Sequence, residues 1–167
     1  MQAENDWITV AHGRLQVSVP ADWTDASTIT LAGPSQRLPG ARMATSAGRE
    51  FASNVSMVMV TRPESAGVED YHASVAERLR KQNVTHRVLE TKPVAFASAD
   101  GIGVLRAVFV DGVWIRQLQA VVAVEEVFVV VTVSTLDGAP AAEWETLQTI
   151  VASIALTAGA TSIRNLS

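Results

Sequence analysis

The sequence predicts an α+β fold: an antiparallel β-sheet of roughly six to eight strands with two helices packed on one face. Three observations predict it. Residues 102–134 read as three consecutive β-rich runs, divided by the two-residue turns Asp111-Gly112 and Glu125-Glu126; Asp-Gly between such runs is the strongest short hairpin signal. Shorter runs of alternating apolar and polar residues precede this meander. Two segments, 68–83 and the stretch after Pro140, switch to a helical period.

In chain order, residues 7–10 and 14–19 flank Ala11-His12-Gly13 and predict a first hairpin. Pro20 ends it, because it has no N–H for a ladder. Residues 27–31 alternate and predict a third strand. Residues 33–48 carry Gly33-Pro34 and Pro39-Gly40 without a period and read as a long mobile loop. Residues 54–61 predict a strand with Val55, Met57 and Met59 on one face and Ser56, Val58 and Val60 on the other. Over 68–83, Tyr71, Val75 and Leu79 make an apolar stripe, with acidic residues leading and basic ones trailing as a helix dipole prefers. Two short strands, 86–90 and 94–96, are expected on either side of Pro93. The last helix starts near Pro140 and carries the stripe Trp144, Leu147, Ile150, Val151 and Ile154. Trp144 reads as its anchor, and Trp23 as a plug at one sheet edge. Trp7 and Trp114 read as core rings in preference to ligand platforms. The chain is expected to be one domain, 1–167, with its core over about 7–156 and a frayed tail over 157–167.

Turn length sets register. Two-residue turns pair Arg106 with Gln117, Val104 with Gln119, Gln119 with Thr132 and Val121 with Val130. One face then carries Leu105, Ala107, Phe109, Leu118, Ala120, Val122, Val129, Val131 and Val133, a core face to which both helices are assigned. The other carries Val104, Val108, Val110, Ile115, Val121, Phe128 and Val130 among Arg106, Gln117, Gln119, Thr132 and Ser134. A solvated face would alternate to Lys, Glu and Thr. This one calls for a bound partner, or for permanent cover by a helix or a second copy of the chain. If Ile115, Val121 and Val130 form an open floor, a charge at Val121 spares the free protein.

Composition excludes several functions. The 167 residues are 48% hydrophobic and 18% charged, with net charge −4, no basic run and no Cys. Nucleic acid is not an expected partner, and disulfides and thiolate zinc sites are ruled out. His12, His72 and His86 lack metal-ligand spacing; His12 falls in a turn, His72 on the polar side of a helix, and His86 at a strand start. No acid–base pair or nucleophile elbow stands out, so no enzyme and no cofactor are expected. The first residues carry neither a basic nor an apolar leader and no run reaches membrane-spanning length, so a cytoplasmic protein is expected.

The run Val19-Pro20-Ala21-Asp22-Trp23, followed by Ile29-Thr30-Leu31, resembles the opening of DcrB-like domains. Val60-Thr61-Arg62, the segment from Gly112 to Ala120, and Val151-Ala152-Ser153-Ile154 continue the likeness, which spans roughly residues 7–156. It implies the α/β/α-like sandwich of the PsbP-type fold. Gln117-Leu118-Gln119-Ala120 is most similar to a strand of the Eag chaperones, cytosolic and usually dimeric proteins that hold the transmembrane helices of type VI secretion effectors. That resemblance implies a partner-binding floor on Ile115, Val121, Val130 and Val58, with Gln117 and Gln119 bonding the client; Thr132 and Arg106 share their face. It also implies a homodimer whose partner is an effector's N-terminal apolar helices. The long 33–48 segment and the sheet edge near Asn54 depart from the chaperone pattern. Other DcrB-like proteins are envelope lipoproteins, so the alternative is an envelope-associated binding or scaffold domain whose signal has been removed.

Overall fold

The computed structural model describes residues 6–12, 14–22, 24–27, 30–37 and 50–157. Along the chain these form β1 (Trp7–His12), β2 (Leu15–Pro20), β3 (Thr24–Ser27), β4 (Thr30–Arg37), β5 (Glu50–Thr61), α1 (Val68–Lys81), β6 (His86–Phe96), β7 (Ala99–Val110), β8 (Val113–Val124), β9 (Val127–Leu136), α2 (Ala141–Ala152) and β10 (Ala155–Leu156). A seven-stranded sheet runs β3-β4-β5-β9-β8-β7-β6, and a three-stranded sheet runs β1-β2-β10. The α+β class and the antiparallel sheet stand as predicted.

The meander keeps its predicted register throughout. Arg106 faces Gln117 and Val104 faces Gln119 across β7 and β8. Gln119 faces Thr132 and Val121 faces Val130 across β8 and β9. Asp111 and Gly112 both hold positive φ, 51° and 85°, the turn whose twist matches that of the paired strands.

The two faces of the large sheet have separate cores. Leu118, Ala120, Val122, Val129, Val131 and Val133 pack with Leu147, Ile150, Val151 and Ile154 of α2 and with Leu15, Val17 and Val19 of β2. Val121, Phe128 and Val130 pack instead with Val68 and Tyr71 of α1. The helices therefore lie on opposite faces, and the expectation of two helices on one face is corrected. On the α2 side, β1, β2 and β10 fill the area that a second helix was expected to cover. Hydrogen bonds tie these layers. Ser18 N–H donates to Ser153 Oγ at 2.9 Å, and Thr157 N–H donates to Arg14 O at 2.7 Å, so Thr157 is not the start of a frayed tail; 158–167 lie outside the described residues.

Other expectations shift locally. Of the strand expected over 27–31, Ser27 ends β3 and Thr30 and Leu31 begin β4, while 28–29 lie outside the described residues; Gly33 to Arg37 belong to β4 rather than to a loop. The rest of that expected loop, 38–48, and Trp23 lie outside the described residues. The two short strands around Pro93 are one strand, β6, with a bulge between Val88 and Glu90. An edge strand accepts Pro93 because its outward side needs no ladder donor. Trp7 and Trp114 are not core rings: they are 43% and 37% exposed. Phe109 points to the predicted face but is also exposed; it leans on Trp114 at 5.2 Å between ring centroids. Both stand at the tip of the β7–β8 hairpin.

Candidate partner surface

The face under α1 is built row by row from the register. One row across four strands reads Val58, Val130, Val121 and Ile102. The next reads Ser56, Thr132, Gln119 and Val104; the third reads Asn54, Ser134, Gln117 and Arg106. Beyond them Ile115 pairs with Val108. Over these three rows the sheet grades from apolar to neutral polar, with a single charge at Arg106.

Helix α1 takes the apolar end. Gly67 precedes it, and Asp70 Oδ2 accepts from Gly67 N–H at 2.7 Å, which satisfies one orphan donor of the first turn. Tyr71 tilts against Phe128 with 5.5 Å between centroids. Beneath the helix Val121 and Val130 are buried; Val104, Arg106 and Val108 on the same face of β7 are buried as well. The expectation of an open floor at Val121 and Val130 is therefore corrected: the chain's own helix sits on them. The periodic stripe alone could not show this, because it fixes which side of α1 is apolar and not which sheet face receives it.

Beside α1 lie Ile115, Gln117, Gln119 and Thr132, all half-buried, and Val58, which is 37% exposed. Gln117 Nε2 donates to Ser134 Oγ at 3.2 Å. Among the described residues, Gln119 Oε1 and Arg106 Nε are buried with no hydrogen-bond partner. The residues expected to meet a partner are thus divided by the fold. Val58, Ile115, Gln117, Gln119 and Thr132 form a strip beside the helix, Val121 and Val130 lie under it, and Arg106 sits at its margin, 3% exposed.

Sequence reasoning missed His72. It is buried rather than on a polar helix face, and its Nε2 lies 2.9 Å from Ile102 O. Burial pushes its pKa below 6.5; the Ile102 carbonyl opposes that shift, Arg106 adds to it and Glu69 counters it. The imidazole is therefore neutral at pH 7, with Nε2–H donating to the carbonyl. One i+1 step from Tyr71 was the available signal, since α1 is wide enough in its apolar arc to bury both.

A cleft of about 530 Å³ opens where the β6–β7 turn meets the end of α2, lined by Ala95, Phe96, Ser98, Asp100, Ser153 and Ile154 among others. Its Ser153 hydroxyl is already bonded to Ile150 O and Ser18 O. Among the described residues no three His, Asp or Glu side chains gather as a metal site. No helix of these residues is long and apolar enough to cross a membrane.

The seven-stranded antiparallel sheet with a helix on each face and a small sheet beside one helix has a PsbP/Mog1-like α+β fold. The chain is similar to LpqN of Mycobacterium tuberculosis, which is involved in cell envelope biogenesis (TM-score 0.58, 11% identity, 92% of this chain and 91% of that one). It is likewise similar to the Ran-binding protein Mog1p of Saccharomyces cerevisiae (TM-score 0.57, 11% identity, 92% and 95%). The cyanobacterial PsbP of Synechocystis aligns over 90% and 91% at TM-score 0.57 and 10% identity. At such identities the likeness establishes the fold. No protein-family model matches the chain, and no curated protein matches it in sequence.

Proposed function

We propose that this protein is a non-catalytic binding domain that holds a partner polypeptide along the strip beside α1. The observation that carries the reading is the third and second rows themselves. Gln117, Gln119 and Thr132 place neutral hydrogen-bonding groups next to Val58 and Ile115 on one rigid sheet. Neutral amides bond a partner's backbone or side chains without desolvating a charge, and the flanking aliphatic groups gain from burial at about 25 cal/mol per Å². That a Ran-binding protein shares the fold fits protein binding as its use.

The finer reading is that the partner is an apolar helix of a type VI secretion effector, held in the cytoplasm before export, as the likeness of the Gln117–Ala120 strand to the Eag chaperones implies. The test is co-expression with the N-terminal apolar segment of an effector encoded beside this chain's gene, followed by co-purification. Val58→Asp is expected to abolish co-purification while leaving the thermal midpoint within a degree or two, because Val58 is on the open margin. Retained binding by Val58→Asp and by Gln119→Ala removes the strip as the partner surface. Sedimentation velocity of the free and loaded protein reads the proposed homodimer directly.

A further inference from the structure

We infer that Arg106 anchors a carboxylate-binding site, and that the segment held on this strip carries an Asp or Glu side chain that enters it. The inference rests on the reading of the strip as a partner surface and names the group that surface selects. Arg106 is 3% exposed and its Nε is fully buried without a partner. Among the described residues no carboxylate pairs with it and nothing accepts a hydrogen bond from it. A guanidinium is never neutral in a protein, and leaving it buried and unpaired is among the costliest arrangements a fold contains.

The polar neighbours of Arg106 can donate to an anion, Gln119 by turning its Nε2 in place of the unpartnered Oε1. Arg106 lies directly across from Gln117, and Gln119 stands one row away. Thr132 and Ser134 continue those rows on β9. Every one of these side chains can donate, and neither row contains an Asp or Glu. One cation with several neutral donors balances one negative charge, which fits a carboxylate better than a dianion. The guanidinium fork also matches two carboxylate oxygens at once. The row continues from Arg106 through Gln117 and Ser134 to Asn54. Across four strands that is roughly 14 Å at about 4.8 Å per strand. Such a line is long for a small free acid and natural for a peptide segment.

The test uses the whole chain with 15N-labelled arginine and glutamine side chains. Acetate, acetamide and chloride are titrated at constant ionic strength while the Arg106 Nε–H and the Gln117 and Gln119 amides are followed. Acetate is expected to shift these signals saturably, with acetamide and chloride giving no saturation. Two apolar helical peptides, identical except for one Glu or Gln, are then compared; the Glu peptide is expected to bind about tenfold more tightly. Arg106→Met should erase both the saturation and the preference. If that variant does not fold, Gln119→Leu at a half-buried position should weaken acetate binding in its place. Equal affinity for the two peptides, with Val58→Asp still blocking both, overturns this inference and leaves the partner strip standing. Acetate saturation with neither peptide bound assigns the site to free organic acids and overturns the polypeptide source. No saturable shift at Arg106 overturns the site altogether.

Discussion

His72 shows how one buried side chain links stability to pH. Its folded pKa is held below 6.5, first by burial and then by Arg106, against the Ile102 carbonyl and Glu69. The unfolded chain therefore binds a proton that the folded chain refuses. The stability this group contributes is complete above about pH 6.5 and is lost as pH falls from there through the folded value. His72→Gln is expected to show a shallower loss of thermal midpoint between pH 7 and pH 5 than the parent chain, read by circular dichroism. Gly101 is constrained by space instead of charge. A Cβ there would sit 1.9 Å from the Val121 carbonyl oxygen, and backbone cannot give way cheaply. Gly101→Ala is expected to cost at least about 1–3 kcal/mol in urea unfolding. Both residues were visible as letters, but neither constraint was: each arises from an atom far along the chain.

At the scale of elements, α1 and α2 differ in how firmly they are held. Trp144 of α2 is half-buried against the larger core. Trp144→Ala should cost about 2 kcal/mol, less than the 3–5 kcal/mol of a fully buried ring. The seat of α1 is smaller, and Val121 lies at its centre. Val121→Asp puts an unpaired carboxylate beneath α1 and is expected to destabilise the free protein on the order of 3–5 kcal/mol. A folded Val121→Asp variant with an unchanged urea midpoint would mean that α1 leaves its seat readily. The element boundaries that were misread share one cause. Local preference marks where a strand can weaken, as at Glu90, Lys92 and Pro93, and only neighbouring strands decide where pairing breaks or bulges.

For the molecule as a whole, the unequal cores predict unequal opening. The α2 side joins one helix, two sheets and a continuous cluster of buried aliphatic residues. The α1 side rests on Val121, Phe128 and Val130 with a few half-buried neighbours. Amide protons of α1 are therefore expected to exchange faster than those of α2 under native conditions, through an opening that leaves the large sheet intact. Equal protection in the two helices would show that they open together. The same asymmetry bears on function, because an element held by a small seat is the one a partner can most readily shift at the margin of the strip.

What the sequence determined by itself is the local grammar. Asp111-Gly112 and Glu125-Glu126 set the turn lengths, and a period of two then dictated which residues of β7, β8 and β9 share a face. The positions of Gln117, Gln119, Thr132 and Arg106 on one face follow from that parity alone. The tertiary structure decided what lies over each face. A helical stripe says that α1 must bury one side, but the sheet offered two apolar faces, and only the path from Thr61 through Gly67 to His86 puts α1 on the second. That path covers Val121 and Val130, leaves Val58 at the open margin, and encloses Arg106 without a counter-charge among the described residues. Periodicity is a property of neighbours in sequence; cover and charge balance belong to elements that meet across the fold.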